Sequence, residues 1–195
     1  MPASMAGQEF MLLLSINRSR GNAEEAEPIP KKQTTSDGKV VIMAFTMKAV
    51  GHVQGGRTEA IDDQWGASRA QISLDPTQFD ETALAGLDGF SHAEIVYVFD
   101  RVTDNEIVTG ARHPRGRKDW PKIGIFAQRG KNRPNRIGVT VCKVVAVSGL
   151  NLEVEGLDAI DGTPVLDIKP YLSGFAPRGS VREPEWSKEI MKEYW

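Results

Sequence analysis

The chain has 195 residues, of which 40% are hydrophobic and 26% are charged, and its formal net charge is -2. This composition predicts an ordinary soluble globular protein with one domain and extensions. The single cysteine, Cys142, excludes an internal disulfide bond and fits the reducing cytoplasm. Its position in an apolar run favours a buried thiol over a nucleophile. The overall charge gives no indication of a nucleic-acid partner.

The N-terminal part, residues 1–44, carries little regular pattern. Its apolar run at 10–16 is too short to cross a bilayer, which needs about 20 residues. It also lacks the cationic flank and small-residue cleavage site of a secretory signal. Residues 22–38 are rich in Glu, Lys, Pro, Ser and Thr, which is typical of a linker or disordered arm. We therefore predict a flexible N-terminal extension, no membrane contact and a cytoplasmic location.

Four strands and one short helix are predicted in the first half of the remaining chain. Apolar runs at 47–53, 70–74 and 107–111 have the length of strands. Residues 80–87 have the pattern of a short helix with a capping residue at its start. The most apolar stretch, 90–99, predicts a central strand of the sheet.

A basic segment follows, because residues 101–136 hold ten Lys or Arg against three acidic residues. Two prolines and a glycine predict a loop at 112–122. Its cations and Trp120 suit a phosphate backbone and an unstacked base, whereas the alternative is a solvated basic face. The side chains predicted to contact RNA are Arg112, Arg115, Arg117, Lys118, Lys131 and Arg136.

The next two strands and a turn carry polar groups at their ends. Alternation at 137–144 and at 152–157 predicts two strands paired through a Ser148-Gly149 turn. Asp161-Gly162 is a strong turn signal. A carboxylate ahead of such a turn can accept hydrogen bonds from a sugar, while exposed turn amides can face a carboxylate or phosphate. The alternative is a turn with a structural role only.

A family resemblance covers residues 47–175. Arg129, Arg133-Pro134-Asn135 and Ile137-Gly138 are followed by Asp158 and by the run DGTPVLDIKPY at 161–171. These residues resemble the TsaA-like (YaeB/TrmO) family of small β-barrel methyltransferases that use S-adenosylmethionine. The characterised tRNA members of that family methylate N6 of threonylcarbamoyl-adenosine beside the anticodon. The long ordered run makes the resemblance specific.

The resemblance implies a mainly β fold with a single, partly closed antiparallel β-barrel, a short helix and a C-terminal helix. The domains expected are the extension 1–44, the barrel 45–175 and a helical tail 176–195. In the tail, Trp186, Ile190 and Tyr194 recur at a spacing of four, which predicts an amphipathic helix docked on the barrel or on a second subunit. The implied partners are tRNA and a second copy in a homodimer.

The cofactor implied is S-adenosyl-L-methionine. Gln64 can bind its amino-acid moiety, although Asp62-Asp63 replaces the family's usual Pro-Arg ahead of it. His92 is a candidate general base, with a satisfied structural histidine as the alternative. The residues implied to bind the cofactor are Asp62, Asp63, Gln64, Asp100, Arg101, Arg129, Arg133, Asn135, Val139, Asp158, Asp161, Gly162 and Thr163.

Chemistry suggests a role for several of these residues. Asp158 or Asp161 is expected to bind the ribose or amino group of the cofactor. The amides of Gly162 and Thr163, or the guanidinium of Arg129, are expected to bind its carboxylate.

The acceptor side of the motif differs from the family pattern. Arg133 and Asn135 are expected to hold the adenine edge or the substrate base. Gln128, Gly130 and Arg136 stand where the family usually has Thr, Ser and Pro. Two alternatives to a tRNA methyltransferase therefore stay open. One is an S-adenosylmethionine-binding sensor or small-molecule methyltransferase, and the other is a non-catalytic RNA-binding barrel.

Several other mechanisms find no motif in the chain. No G-x-G-x-x-G follows a strand, which excludes a Rossmann-type methyltransferase on sequence. The three histidines, His52, His92 and His113, do not have metal-ligand spacing, so no metal is expected. Neither a Walker A motif nor a G-x-S-x-G motif is present.

Overall fold

The computed structural model describes residues 45–195. The predictions for residues 10–16 and 22–38 lie outside this described part. Within Thr46–Trp195 the chain forms one compact unit. Its elements are β1 (Gly51–Gln54), β2 (Arg69–Leu74), β3 (His92–Val98), β4 (Ala111–Arg112), β5 (Ile123–Gly124), β6 (Ile137–Ser148), β7 (Asn151–Glu155), β8 (Pro164–Pro170) and the helix α1 (Glu185–Met191).

Six strands form a closed barrel in the order β1-β2-β7-β6-β3-β8, with every pair antiparallel. The barrel closes where Gly51 and His52 of β1 pair with Val165 and Pro164 of β8. In the part of the chain that the structure describes, closure leaves the six-stranded barrel without an edge strand, which is a common way for a small antiparallel sheet to avoid self-association. The mainly β fold is confirmed, and the barrel is fully rather than partly closed.

The core lies inside the barrel and follows the alternation of the strands. Ile72, Ile95, Leu152 and Val154 are fully buried, as expected when every second side chain points inward. Gly138 of β6 makes room for the ring of Tyr97, because a Cβ at this glycine would lie only 2.4 Å from the ring. The glycine is therefore needed for the packing of β6 on β3.

Cys142 belongs to this core, as the sequence predicted. Only 1% of its surface is exposed, and burial raises the pKa of its thiol to about 12. We expect a thiol-reactive aromatic disulfide to leave the native chain unmodified at mildly alkaline pH and to react fully after unfolding in urea. Fast labelling of the native protein would contradict this burial.

The two strands predicted at 137–144 and 152–157 are confirmed as β6 and β7. The predicted central strand is confirmed as β3, which lies between β6 and β8. The helix expected at 80–87 is wrong, because this segment forms successive turns that end in a 3-10 helix at Leu87–Gly89. Two local features explain the turns. The Asp80 carboxylate accepts the Thr82 N–H at 2.8 Å, and Gly86 has a φ of 84°.

The strand predicted at 107–111 is also wrong, except for its last residue. Ala111 and Arg112 form β4, which pairs only with the two residues of β5. The tail helix is confirmed as α1. No helix in residues 45–195 is long and apolar enough to cross a membrane.

Three connections meet at one end of the barrel, which we call the loop end. They are the β1–β2 loop (55–68), the β3–β6 connection (99–136) and the β7–β8 loop (156–163). Antiparallel pairing brings them together, because the last residues of β1, β3 and β7 pair near the first residues of β2, β6 and β8. Almost all of the predicted site residues lie in these loops.

Candidate functional site

A carboxylate bound by three hydroxyls lies at the centre of the loop end. The hydroxyl of Tyr97 donates to Asp158 Oδ1 at 2.7 Å, Thr140 donates to the same oxygen, and Tyr194 donates to Oδ2. Burial and the nearby Asp158 charge both raise the pKa of the Tyr97 and Tyr194 hydroxyls, so both remain protonated donors. We call these four residues the Asp158 cluster.

The Tyr194 hydroxyl is the outermost member of this cluster and can be tested alone. Tyr194→Phe removes one hydrogen bond to a charged group, so we expect the free energy of unfolding to fall by about 1.5–3 kcal/mol. Urea denaturation followed by tryptophan fluorescence measures this change. Tyr171→Phe is the matched control, because Tyr171 is exposed and its hydroxyl has no hydrogen-bond partner among the described residues.

The segment after α1 docks on the loop end of the barrel, the first of the two predicted alternatives. Gln64 N–H donates to the Glu193 carbonyl and Trp65 N–H donates to the Tyr194 carbonyl, both at 2.7 Å. These two bonds fix the segment along the β1–β2 loop and bring Tyr194 to Asp158. The end of the chain thus forms one wall of the site.

Trp120 serves this docking and does not face solvent. The residue is only 6% exposed, and its indole N–H donates to Glu189 of α1 at 2.8 Å. The Arg117 guanidinium covers the ring at 4.2 Å from its centroid. The prediction that Trp120 stacks an unpaired base is wrong, because the residue is buried, Arg117 covers its ring and its N–H is bonded within the chain.

Asp161, in the β7–β8 loop, joins the three connections of the loop end. Its Oδ1 accepts the Gly55 N–H at 2.8 Å, and its carbonyl accepts an N–H of Arg101 at 3.3 Å. Its second carboxylate oxygen, Oδ2, has no hydrogen-bond partner within residues 45–195. Asp161 can therefore hold the β1–β2 loop and still accept a hydrogen bond from a ligand.

The amides of the Asp161-Gly162 turn are already used. Gly162 N–H donates to the Val53 carbonyl at 2.8 Å, and Thr163 N–H donates to the Ile160 carbonyl at 3.1 Å. The prediction that these two amides face a bound carboxylate is wrong for this conformation. The first bond fixes the turn to β1, and the second closes the turn itself.

The residues Asp62, Asp63 and Gln64 form a loop that two arginines hold. Arg57 donates to the carbonyls of Asp63, at 2.7 Å, and of Gln64. Arg115 makes a bidentate ion pair with Asp63, at 2.6 and 2.9 Å, and donates to the Asp62 carbonyl at 3.2 Å. The sequence assigned Arg115 to RNA and these acids to the cofactor, whereas the structure makes them partners.

The predicted arginine motif lines the same end. Arg129 donates to the Val139 carbonyl at the start of β6, and Arg133 donates to the Gln128 carbonyl at 3.1 Å. The partners of both guanidinium groups are neutral carbonyls, and each group has further N–H donors available for a ligand. Asn135 is exposed and Val139 is half-buried. Val139 directly precedes Thr140 of the Asp158 cluster, so the Arg129 guanidinium lies close to that cluster.

Two more arginines are half-buried in the β3–β6 connection. Arg112 donates to the Asn132 side chain at 3.1 Å, and Arg136 forms an ion pair with Asp104. The Nε atom of each is buried without a hydrogen-bond partner. Through the contacts with Asn132 and Asp104, both side chains stabilise the connection, in addition to any contact with a ligand.

The basic surface is smaller than the sequence suggested but remains. Three of the ten cations in 101–136 pair with carboxylates, namely Arg115, Arg117 and Arg136. Within the described residues the others have no carboxylate partner, and they are Arg101, Arg112, Lys118, Lys122, Arg129, Lys131 and Arg133. All seven residues belong to the β3–β6 connection, one of the three connections at the loop end.

The structure does not bring His92 to the loop end. This residue begins β3, whereas Asp100 follows the other end of that strand, about 20 Å away at about 3.3 Å per residue. His92 is exposed, with Nδ1 at 2.9 Å from the Ser91 hydroxyl. Its role as a general base therefore has no support within one chain, whereas the exposed Asp100 and Arg101 do lie at the loop end.

Sequence reasoning missed Tyr97, Thr140 and Arg57 as site residues. Tyr97 carried a signal, because a tyrosine in a buried strand must find a partner for its hydroxyl. Thr140 carried a weaker one, since it is a polar residue on the inward side of β6. Arg57 stood in a loop without a pattern, so only the fold reveals its partners. Among residues 45–195, no group of three or more His, Cys, Asp or Glu is arranged to hold a metal ion.

These features define a class of protein: a small closed antiparallel barrel with a polar, cation-rich site formed by three loops at one end. The family described as tRNA-methyltransferase O N-terminal domain matches residues 61–176. The matched region contains the three loops, apart from residues 55–60 of the β1–β2 loop. The chain belongs to this family. The resemblance inferred from the DGTPVLDIKPY run is confirmed.

Individual relatives and solved structures agree. The chain is 39% identical over 104 residues to a tRNA (adenine(37)-N6)-methyltransferase of Homo sapiens, which covers 53% of this chain and 23% of the relative. It is 36% identical over 102 residues to a probable S-adenosyl-L-methionine-binding protein of Archaeoglobus fulgidus, covering 52% and 26%. A crystal structure of TrmO superposes with a TM-score of 0.60 at 27% identity, covering 72% of this chain and 64% of that one. The chain thus spans about a quarter of the length of the human and Archaeoglobus fulgidus relatives.

Proposed function

We propose that this protein transfers a methyl group from S-adenosyl-L-methionine to N6 of an adenosine in tRNA. The proposal includes the finer substrate, the threonylcarbamoyl-adenosine beside the anticodon. The observation that carries it is the meeting of Arg129, Asp158 and Asp161 at one end of the barrel. All three residues fall inside the matched family region, and the human relative, a tRNA (adenine(37)-N6)-methyltransferase, suggests the reaction.

The donors and acceptors at the loop end fit the cofactor. Asp161 Oδ2 is available for a ribose hydroxyl, and the Arg129 and Arg101 guanidinium groups are available for the carboxylate of the methionine part. Asn135 is exposed and can bind the edge of an adenine. The Asp158 carboxylate already accepts three hydroxyls, so its main task is to hold the walls of the site in place.

The sulfonium of S-adenosyl-L-methionine, when bound, supplies the methyl group and the driving force of the reaction. The residues of the chain then have to orient the acceptor nitrogen in line with the departing sulfur, and orientation dominates such a transfer. The acylated N6–H of threonylcarbamoyl-adenosine is more acidic than that of a free amine. Because His92 lies at the other end of the barrel, we assign removal of this proton to water.

Methyl transfer from radiolabelled S-adenosyl-L-methionine to two tRNA preparations tests the finer proposal. One preparation carries the threonylcarbamoyl group, and the other is an unmodified transcript of the same sequence. We expect label only in the first. Equal label in both preparations would indicate that the acceptor is a different adenosine. Cofactor binding without tRNA binding would identify a sensor or small-molecule enzyme, whereas tRNA binding without cofactor binding would identify an RNA-binding barrel.

We also propose that the protein is a homodimer that acts in the cytoplasm. The family resemblance implies the dimer, and Val141 on the outer face of β6 is 40% exposed. Sedimentation equilibrium measures the mass directly, and a monomer at micromolar concentration would contradict this part of the proposal.

A further inference from the structure

Phe126, in the β3–β6 connection, has an exposed aromatic side chain. Phe126 is 78% exposed, although its neighbour Ile125 is 2% exposed and Gln128 is 8% exposed. A phenylalanine ring of this exposure leaves a large apolar surface in water. The short 3-10 turn Ile125–Ala127 points one side chain into the protein and the next one out.

Hydrogen bonds on both sides keep this turn rigid. Ile125 N–H donates to the Gly110 carbonyl at 3.0 Å, and Gln128 N–H donates to the Ile125 carbonyl at 3.2 Å. The buried Gln128 side chain donates to the carbonyls of Arg112, at 3.3 Å, and of Ile123, at 3.0 Å. The ring of Phe126 is therefore presented on a fixed backbone and loses little freedom when a ligand covers it.

The cationic residues close to Phe126 in the chain indicate which kind of ligand covers its ring. Lys122 and Lys131 lie within five residues of Phe126 in the sequence, and neither pairs with a carboxylate in the described part of the chain. Two copies of this surface would repel each other, whereas a nucleic acid would bring phosphates to the cations and a base to the ring. The surroundings thus favour RNA over a second copy of the chain.

We propose that Phe126 is the stacking platform for an unpaired base of the tRNA. This inference rests on the proposed function and adds to it the side chain that positions the nucleic acid. It gives Phe126 the role that the sequence had assigned to Trp120. Stacking of a base on an aromatic ring does not depend on salt, whereas the contacts of the cations with phosphates do.

Fluorescence anisotropy of labelled tRNA over a series of salt concentrations tests the proposal. For Phe126→Ala we expect tRNA affinity to fall about 10- to 100-fold with the slope against salt unchanged. Phe126→Trp should restore binding. Phe175→Ala is the matched control, because Phe175 is 85% exposed but follows β8 and lies outside the cationic connection.

The outcomes separate this inference from the proposed function. If the wild type binds tRNA and Phe126→Ala binds equally well, the stacking role is overturned while the proposed function stands. If Phe126→Ala converts a dimer to a monomer in sedimentation, the ring belongs to a protein interface and the inference is also overturned. A wild type without tRNA affinity would overturn the proposed function together with this inference.

Discussion

Replacing Asp158 with alanine is expected to lower the free energy of unfolding by about 2–4 kcal/mol. The substitution removes the acceptor of three hydroxyls. Tyr194 can turn to water, whereas the buried Thr140 keeps only Tyr97, at 3.4 Å, and the buried Tyr97 keeps Thr140 and the backbone carbonyl of residue 158, at 3.2 Å. An unsatisfied buried hydroxyl costs more than a lost hydrogen bond, because the group has also given up its water.

The same substitution should also weaken binding of S-adenosyl-L-methionine by more than about tenfold, since the cluster holds the tail against the loops of the site. Urea denaturation measures the stability, and calorimetry below the unfolding transition measures the binding. Asp167→Ala is the matched control. The Asp167 side chain lies on the outer part of β8 with Lys169 as its charged partner, so its loss should change stability by less than about 0.5 kcal/mol. Equal effects of the two substitutions would contradict the structural role of the Asp158 cluster.

Affinity for tRNA is expected to fall about 100- to 1,000-fold when monovalent salt rises from about 50 to about 200 mM, if about five cations contact phosphates. The charge that causes this effect is local, because the chain as a whole has a net charge of -2. Lys118→Ala and Lys131→Ala should each lower the slope of log affinity against log salt by nearly one. Both lysines lack a carboxylate partner among residues 45–195.

Arg117→Ala provides the contrast within the same loop. The Arg117 guanidinium is paired with Asp119, which also raises the pKa of the guanidinium, and it covers the ring of Trp120. Its removal should therefore leave the salt slope almost unchanged. Binding of tRNA that is independent of salt, or a slope that responds to Arg117 and not to the lysines, would contradict this division of the cations.

The sequence was sufficient for the barrel strands with a clear period. Alternation of apolar residues predicted β6 and β7, and the long apolar run predicted β3, because each signal lies within a few consecutive residues. The prediction of a helix at 80–87 was wrong because it also relied on a signal in a few consecutive residues. The Asp80 side chain caps a turn as readily as a helix, and Gly86 breaks the pattern.

The site was predicted as a set of residues but not as a set of contacts. The turn predicted at Asp161-Gly162 is present, yet Arg115 and Asp63 were assigned to separate ligands although they pair across 52 residues of chain. Trp120 appeared to be free for a base because its partner, Glu189, is 69 residues away. Closure of the barrel and docking of the tail bring such partners together. Neither event can be predicted from the residues next to each partner in the sequence.

Isothermal titration of S-adenosyl-L-methionine into the folded full chain tests the central claim most directly. We expect saturable binding to the wild type, with one cofactor per chain. Asp161→Ala should weaken that binding by more than about tenfold, because it removes the free carboxylate oxygen and the bond to Gly55. The absence of saturable binding to folded wild-type protein would contradict the assignment of the loop end as a cofactor site.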